Sequence, residues 1–169
     1  MSDAPRDAAR VIVTGGTFDK RYDAIKGELT FTQTHLPALL EQARVSLPLA
    51  VDIRLLIDSL QMTEAHRASV LEACRESPER SIVVVHGTDT MVETARVVGR
   101  AGLDRTVVFT GAMVPYSVQD SDAPFNLGFA IAASLTLPAG AYVAMNARIF
   151  PWDGVMKDKA EGTFKLRGS

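Results

Sequence analysis

The sequence predicts an α/β fold, a three-layer α/β/α sandwich on a mostly parallel sheet. Two observations carry that prediction. Short apolar, β-rich runs recur without polar alternates, as strands covered on both faces do. Between them lie stretches of helical period, long enough to cross a sheet and return. A third observation sets the scale: 169 residues, 47% hydrophobic and 22% charged, suit one globular unit. Residues 1–169 are therefore read as a single domain, without linker or internal repeat.

The elements follow in order. Arg10–Thr14 is an apolar run ending in glycines, a buried strand. Thr34–Val45 carries Leu36, Leu39, Leu40 and Ala43 on one stripe, a helix with Thr34 as N-cap. Ala50–Ile57 is a second strand and Thr63–Glu76 a helix opened by a threonine cap. Ser81–Val85 is a third strand, followed by a helix over Asp89–Val98 with Met91, Thr94, Ala95 and Val98 on one face. Thr106–Phe109 is a fourth strand, Pro124–Leu135 a helix with proline at its start, and Ala141–Met145 a fifth strand. Two segments break the alternation. Phe18–Gln33 holds a brief β-like Glu28–Thr32, which suits a hairpin, and Tyr116–Ala123 is polar and turn-rich. Loops of this length are commonly functional.

Composition excludes several functions. The net charge is -2 and no basic run exceeds Lys20-Arg21, so neither nucleic acid nor an anionic membrane is an expected partner. The first ten residues mix charges of both signs and lack the apolar core of a secretory signal. Phe129–Met145 is interrupted by Ser134, Thr136, Pro138 and Gly140, too polar to cross a bilayer. Cys74 is the single cysteine, which fits a reducing cytoplasm and reads as a small core residue. His35, His66 and His86 are scattered, with no ligand spacing, so no metal is expected; His86, after an apolar strand, reads as structural.

Chemistry collects at four strand ends: Thr14-Gly-Gly-Thr17, Asp58-Ser59, His86-Gly-Thr-Asp-Thr90 and Thr110-Gly-Ala-Met113. The carboxyl ends of parallel strands line the ligand crevice of open α/β sheets. Gly15-Gly16 has the spacing of neither dinucleotide nor P-loop motifs, and no G-x-S-x-G elbow is present. Hydroxyls, a carboxylate and lysines remain. A threonine hydroxyl needs a neighbouring base or charge to act as nucleophile. A buried lysine can supply it, because desolvation lowers its pKa. Asp89 can hold such a lysine or a substrate ammonium, and the helix start near Asp89 suits an oxyanion or carboxylate. Two readings stand open on the residues alone: an acyl-transfer or hydrolysis site for a small zwitterion, or Thr88 and Asp89 as helix caps.

These segments, with Pro124-Phe-Asn-Leu127 and His86-Gly-Thr-Asp-Thr-Met91, resemble the bacterial-type L-asparaginases, in the same order and over nearly the whole chain. The resemblance implies the N-terminal-domain fold of that family, including its left-handed crossover. It places the catalytic threonines on Thr17 and Thr88, the ammonium-binding aspartate on Asp89 and the lysine on Lys157, with Lys159 as a competing assignment. Tyr22 looks like the tyrosine that a mobile loop brings over Thr17. Gly16, Asp58, Ser59, Gly87, Thr88, Asp89 and Ala112 fall on substrate-binding positions, with Ser59 on the substrate carboxylate and the Ala112 backbone on the side-chain amide. The sequence departs from the pattern in three respects. The family's second domain, which lends an acidic residue to a neighbouring site, is absent, and the chain reads as a short form complete in itself. Leu60 stands where relatives often have a polar residue, and the Tyr22 loop is short.

The resemblance further implies hydrolysis of L-asparagine to aspartate and ammonia without a cofactor, in a homodimer or homotetramer. Thr17 would attack with help from Tyr22, and water near Thr88 and Lys157 would release the acyl group; direct attack by water held at Thr88 is the rival route. A glutaminase, another small-amide amidohydrolase and a non-catalytic amino-acid-binding module are the alternatives, although binding alone does not require two nucleophile-like hydroxyls.

Overall fold

The computed structural model describes residues 7–169. Residues 1–6, most of the stretch read as lacking a leader, lie outside the described residues. In chain order the strands are β1 (Ala9–Gly15), β2 (Arg21–Asp23), β3 (Glu28–Thr30), β4 (Leu49–Ile57), β5 (Ser81–Val85), β6 (Thr106–Thr110), β7 (Gly140–Met145), β8 (Arg148–Pro151), β9 (Val155–Asp158) and β10 (Thr163–Leu166). The helices are α1 (Leu36–Gln42), α2 (Glu64–Glu76), α3 (Met91–Arg100) and α4 (Ala123–Thr136).

The main sheet runs β4-β1-β5-β6-β7-β8. Its first five strands are parallel and β8 returns antiparallel to β7. Alternate strand residues feed two cores. Ile12, Ile82, Val84, Phe109 and Val143 pack with Val70, Cys74, Met91, Ala95 and Val98, which belong to α2 and α3. Val11, Val13, Val83, Val85 and Val108 pack with Leu36, Leu39, Leu127 and Ala130, which belong to α1 and α4. Covering both faces is what requires the unbroken apolar runs. The molecule is the expected three-layer sandwich.

Four differences from the sequence expectation have local causes. The sheet gains β8 beyond the five expected strands, because the chain turns back at Asn146 and Ala147, both in left-handed conformation. A hairpin of β9 and β10 follows, with Val155 and Phe164 in the core. Helix α1 starts at Leu36 with His35 in the cap position; the Thr34 hydroxyl still accepts from Leu36 N at 3.2 Å, but its proton goes to the buried Asp19 carboxylate at 2.9 Å. Helix α3 starts at Met91, not Asp89, and Thr90 occupies its cap position. That leaves Thr88 and Asp89 in the turn rather than in the helix. The Thr63 cap is as expected, with His66 reciprocating, and β2–β3 forms the expected hairpin.

Candidate active site

The turns after β1, β4, β5 and β6 meet at one end of the sheet, and glycines make the approach possible. Gly15 and Gly16 have φ of 100° and 76°, which side-chain-bearing residues rarely adopt. A Cβ on Gly16 would strike the Gly87 backbone, one on Gly87 would lie 2.6 Å from Ser59 Oγ, and one on Gly111 would strike the His86 carbonyl. The turn bearing Thr17 therefore stacks on that bearing Thr88, and this rests on Ser59, with the Ala112 turn behind.

Hydrogen bonds lock the stack. Thr14 Oγ1 donates to Val85 O at 2.7 Å, joining the ends of β1 and β5. Thr90 Oγ1 donates to Ser59 O at 2.8 Å, and Thr90 N donates to Ser59 Oγ at 3.3 Å. His86 is fully buried and holds its turn from beneath. Its Nδ1 lies 2.8 Å from Gly87 O, which can only accept, so Nδ1 carries the proton and Nε2 accepts from the Thr94 hydroxyl at 2.7 Å. Burial pushes its pKa down to about 4. It is the neutral structural histidine expected from the sequence.

Lys157 reaches this centre from β9. Its Nζ donates to Thr88 Oγ1 at 2.8 Å and to Asp89 Oδ1 at 2.7 Å. The lysine side chain is only 10% exposed, that of Asp89 40%. The arm that delivers it is anchored twice. Val155, on the same strand face two residues earlier, is fully buried. Trp152 lies against Gly99 of α3 so closely that any Cβ there would enter the indole. Lys159 sits exposed in the β9–β10 turn. Lys165, not Lys159, pairs with Asp158, at 2.7 Å.

Thr17 opens a short 3-10 turn, Thr17–Asp19, and its hydroxyl bonds no described residue. Tyr22, on β2, is 62% exposed, and no hydrogen bond joins it to Thr17 among the described residues. Asp58 is fully engaged: Oδ1 accepts from Leu60 N at 3.0 Å and Oδ2 from Lys20 Nζ at 2.6 Å. The lysine holds the Asp58 carboxyl below its usual range. Ser59 and Ala112 are buried in their turns, whereas Leu60 is 66% exposed beside Ser59.

Several supporting residues escaped sequence reasoning. In the sequence Lys20 stands out only as part of a short basic run. Asp122 accepts from Met113 N, at 3.0 Å to Oδ1, and from Val114 N at 2.9 Å, so it shapes the Ala112 turn. Burial opposes its charge, but those N–H groups and the Asn146 amide prevail and keep its pKa low. Asn126, fully buried on α4, donates to Gly111 O at 3.0 Å and accepts from Asn146 N at 3.0 Å. The sequence signal was Pro124-Phe-Asn-Leu127, visible as a motif without an assignable role.

Fold and crevice define an α/β protein of the kind that holds a small ligand at the carboxyl ends of parallel strands. Residues 9–165 match the family described as Asparaginase, N-terminal, and the chain belongs to that family. It is similar to a glutaminase-asparaginase of Acinetobacter glutaminasificans, with 38% identity over 80 residues, 45% of this chain and 24% of that protein. Among solved structures it resembles L-asparaginase I of Vibrio cholerae, with TM-score 0.82 and 23% identity, covering 95% of this chain and 51% of that one. It also resembles a probable cytoplasmic L-asparaginase of Campylobacter jejuni, with TM-score 0.80 and 26% identity, covering 96% and 53%. The chain thus spans about half the length of these structures. No helix among the described residues is long and apolar enough to cross a membrane.

Proposed function

We propose that this chain hydrolyses the side-chain amide of L-asparagine to L-aspartate and ammonia, as a single catalytic domain acting in the cytoplasm. The observation that carries the reading is the Lys157 ammonium bonded at once to the Thr88 hydroxyl and the Asp89 carboxylate. A helix cap alone would not draw a largely buried lysine from a strand 68 residues away.

In this reading Thr17 Oγ attacks the amide carbon. Its proton passes, with help from Tyr22, to the departing nitrogen, the C–N bond breaks, and ammonia leaves a β-acyl group on Thr17. The hairpin carrying Tyr22 must close over the Thr17 turn for this step. Backbone N–H groups of the glycine turns hold the oxyanion, each worth about 3 kcal/mol. Water held by Thr88 then adds to the acyl carbon, the ester bond to Thr17 Oγ breaks, the water's proton is relayed through Thr88 and Lys157 to Thr17 Oγ, and aspartate departs. Asp89 takes the substrate ammonium and Ser59 its carboxylate, while Gly16, Gly87 and Ala112 line the bound side chain. Asp58, tied to Lys20, fixes the Ser59 turn.

Leu60 favours a second reading. An apolar, exposed residue beside Ser59 grips the amino-acid end of a substrate less closely, which admits glutamine; the Acinetobacter relative is named for both activities. Ammonia release from the purified protein, measured with asparagine and with glutamine, tests both. Faster turnover of asparagine supports the first reading, faster turnover of glutamine the second, and release from neither overturns the enzymatic proposal. We further propose a homodimer or homotetramer, since a crevice built on one sheet end lacks an outer wall.

A further inference from the structure

Residues 21–33 form a flap. None of them is buried, and every hydrogen bond they make among the described residues stays within the segment. The chain on either side is fixed. Fully buried Asp19 accepts from the Thr34 hydroxyl at 2.9 Å and from His35 N at 2.8 Å, which ties the entry of the flap to its exit. Lys20 is the last residue held before the flap begins. Its N–H donates to Thr17 O at 3.2 Å, its carbonyl accepts from Ser117 Oγ at 2.7 Å, and its ammonium donates to Asp58 Oδ2 at 2.6 Å.

Lys20 already has extended backbone, φ -68° and ψ 144°, so it continues the line of β2, and the two-residue period puts Tyr22 on its face. Arg21 pairs with Thr30 and Tyr22 with Leu29. One step back, Phe31 stands opposite Lys20, and its ring centroid lies 5.9 Å from the Lys20 ammonium. One side chain thus bonds Asp58, whose other oxygen caps the Ser59 turn at Leu60 N, and lies over the return strand of the flap. The hairpin face that carries Tyr22 is therefore the face held toward the crevice.

We propose that Lys20 is a positioning residue for the reaction at Thr17: its ammonium, held by Asp58 and lying over Phe31, sets the hairpin so that Tyr22 is presented to the Thr17 turn. The proposal rests on the reading that Tyr22 assists Thr17. It adds that the turn proposed to take the substrate carboxylate and the flap that completes the nucleophile share one ion pair. Its side chains are 20% and 28% exposed, so solvent ions screen it less than a surface pair.

Variants of the full chain test this. Lys20→Met keeps most of the stem and removes the charge, and kcat on asparagine should fall about 10-fold. Lys20→Arg, able to bond a carboxylate and to lie over a ring, should recover most of that loss. In a Tyr22→Phe background Lys20→Met should cause no further loss, because residues acting as one unit are not additive. A loss of equal size in both backgrounds overturns the proposal. Cleavage by a glutamate-specific protease reads the flap without reference to turnover. Lys20→Met and Asp58→Asn, which keeps an acceptor for Leu60 N, should both speed cutting after Glu28 in β3 several-fold. Cutting after Glu161, exposed in the β9–β10 turn, should stay at the parent rate. Unchanged cutting after Glu28, or equal acceleration at both sites, overturns the tie. Acceleration after Glu28 in a protein whose parent releases no ammonia keeps the tie and overturns the reading of Tyr22 and Thr17.

Discussion

The two threonine turns stand on one sheet end yet are built differently. Thr88 is 7% exposed, bonded by Lys157, and braced by His86 beneath and Ser59 alongside. Thr17, one glycine contact away, has a hydroxyl unengaged among the described residues, and its partner candidate Tyr22 stands on a two-stranded hairpin with its side chain in solvent. One half of the crevice is already assembled; under the proposed mechanism the other is completed by closure of the hairpin. Preorganised donors act without reorganisation cost, whereas a closing hairpin excludes water at the moment of attack. In the proposed mechanism this contrast divides labour between activation of water at Thr88 and nucleophilic attack at Thr17.

The largest effect that would break this contrast is at Lys157. Lys157→Met keeps most of the hydrocarbon stem and removes the amine, and turnover should fall about 10²–10⁴-fold while circular dichroism is unchanged. Lys159→Met should retain parental turnover. If the two variants exchange behaviour, the β9 arm has been assigned to the wrong lysine. Tyr22→Phe comes next. Its turnover should drop about 10²-fold, with a melting temperature equal to that of the parent, because an exposed side chain contributes little to stability. An unaffected rate would remove Tyr22 and hairpin closure from the reaction.

Stability sharpens the comparison from the Thr88 side. Asn126→Leu leaves the buried Gly111 carbonyl without its partner and removes the acceptor of the Asn146 N–H, and should cost about 2 kcal/mol in urea unfolding. Within error of the parent, that value would mean the Ala112 turn holds its shape without Asn126. His86 gives a pH signature. Its pKa is about 4 when folded against about 6.5 unfolded, so the unfolded chain takes up the proton first as pH falls. The favourable contribution is complete above pH 6.5 and is lost progressively towards pH 4, about 3 kcal/mol in all. Buried Asp19, whose carboxyl is pushed up by desolvation, opposes this trend. Melting temperatures from pH 7 to pH 4.5 for the parent and His86→Gln isolate the histidine: the variant should show the smaller decline.

The division also separates what the sequence disclosed from what it withheld. The four polar strand-end turns, three of them carrying glycine, the five parallel strands and the Thr63 cap were legible, because period, punctuation and capping act within a few residues. Long-range pairing was not. β8 and β10 lack distinctive periodicity, and their placement depends on Phe150 and Phe164 finding the α3 side of the core. The Lys20–Asp58 tie spans 38 residues, and nothing local marks it. The start of α3 was misplaced for a tertiary reason: Thr90 bonds Ser59, which holds Thr88 and Asp89 out of the helix.

The proposed division of labour is tested most directly by trapping the acyl group. Thr17→Val and Thr88→Val both preserve the β-branched shape, so both should fold and bind asparagine. Exposed to asparagine and analysed by intact-protein and peptide mass spectrometry, Thr88→Val should accumulate an aspartyl adduct on Thr17, because deacylation is impaired. Thr17→Val should show none and should lose turnover by roughly four orders of magnitude. An adduct mapped to Thr88 in the parent protein, or near-normal turnover in Thr17→Val, would contradict the account.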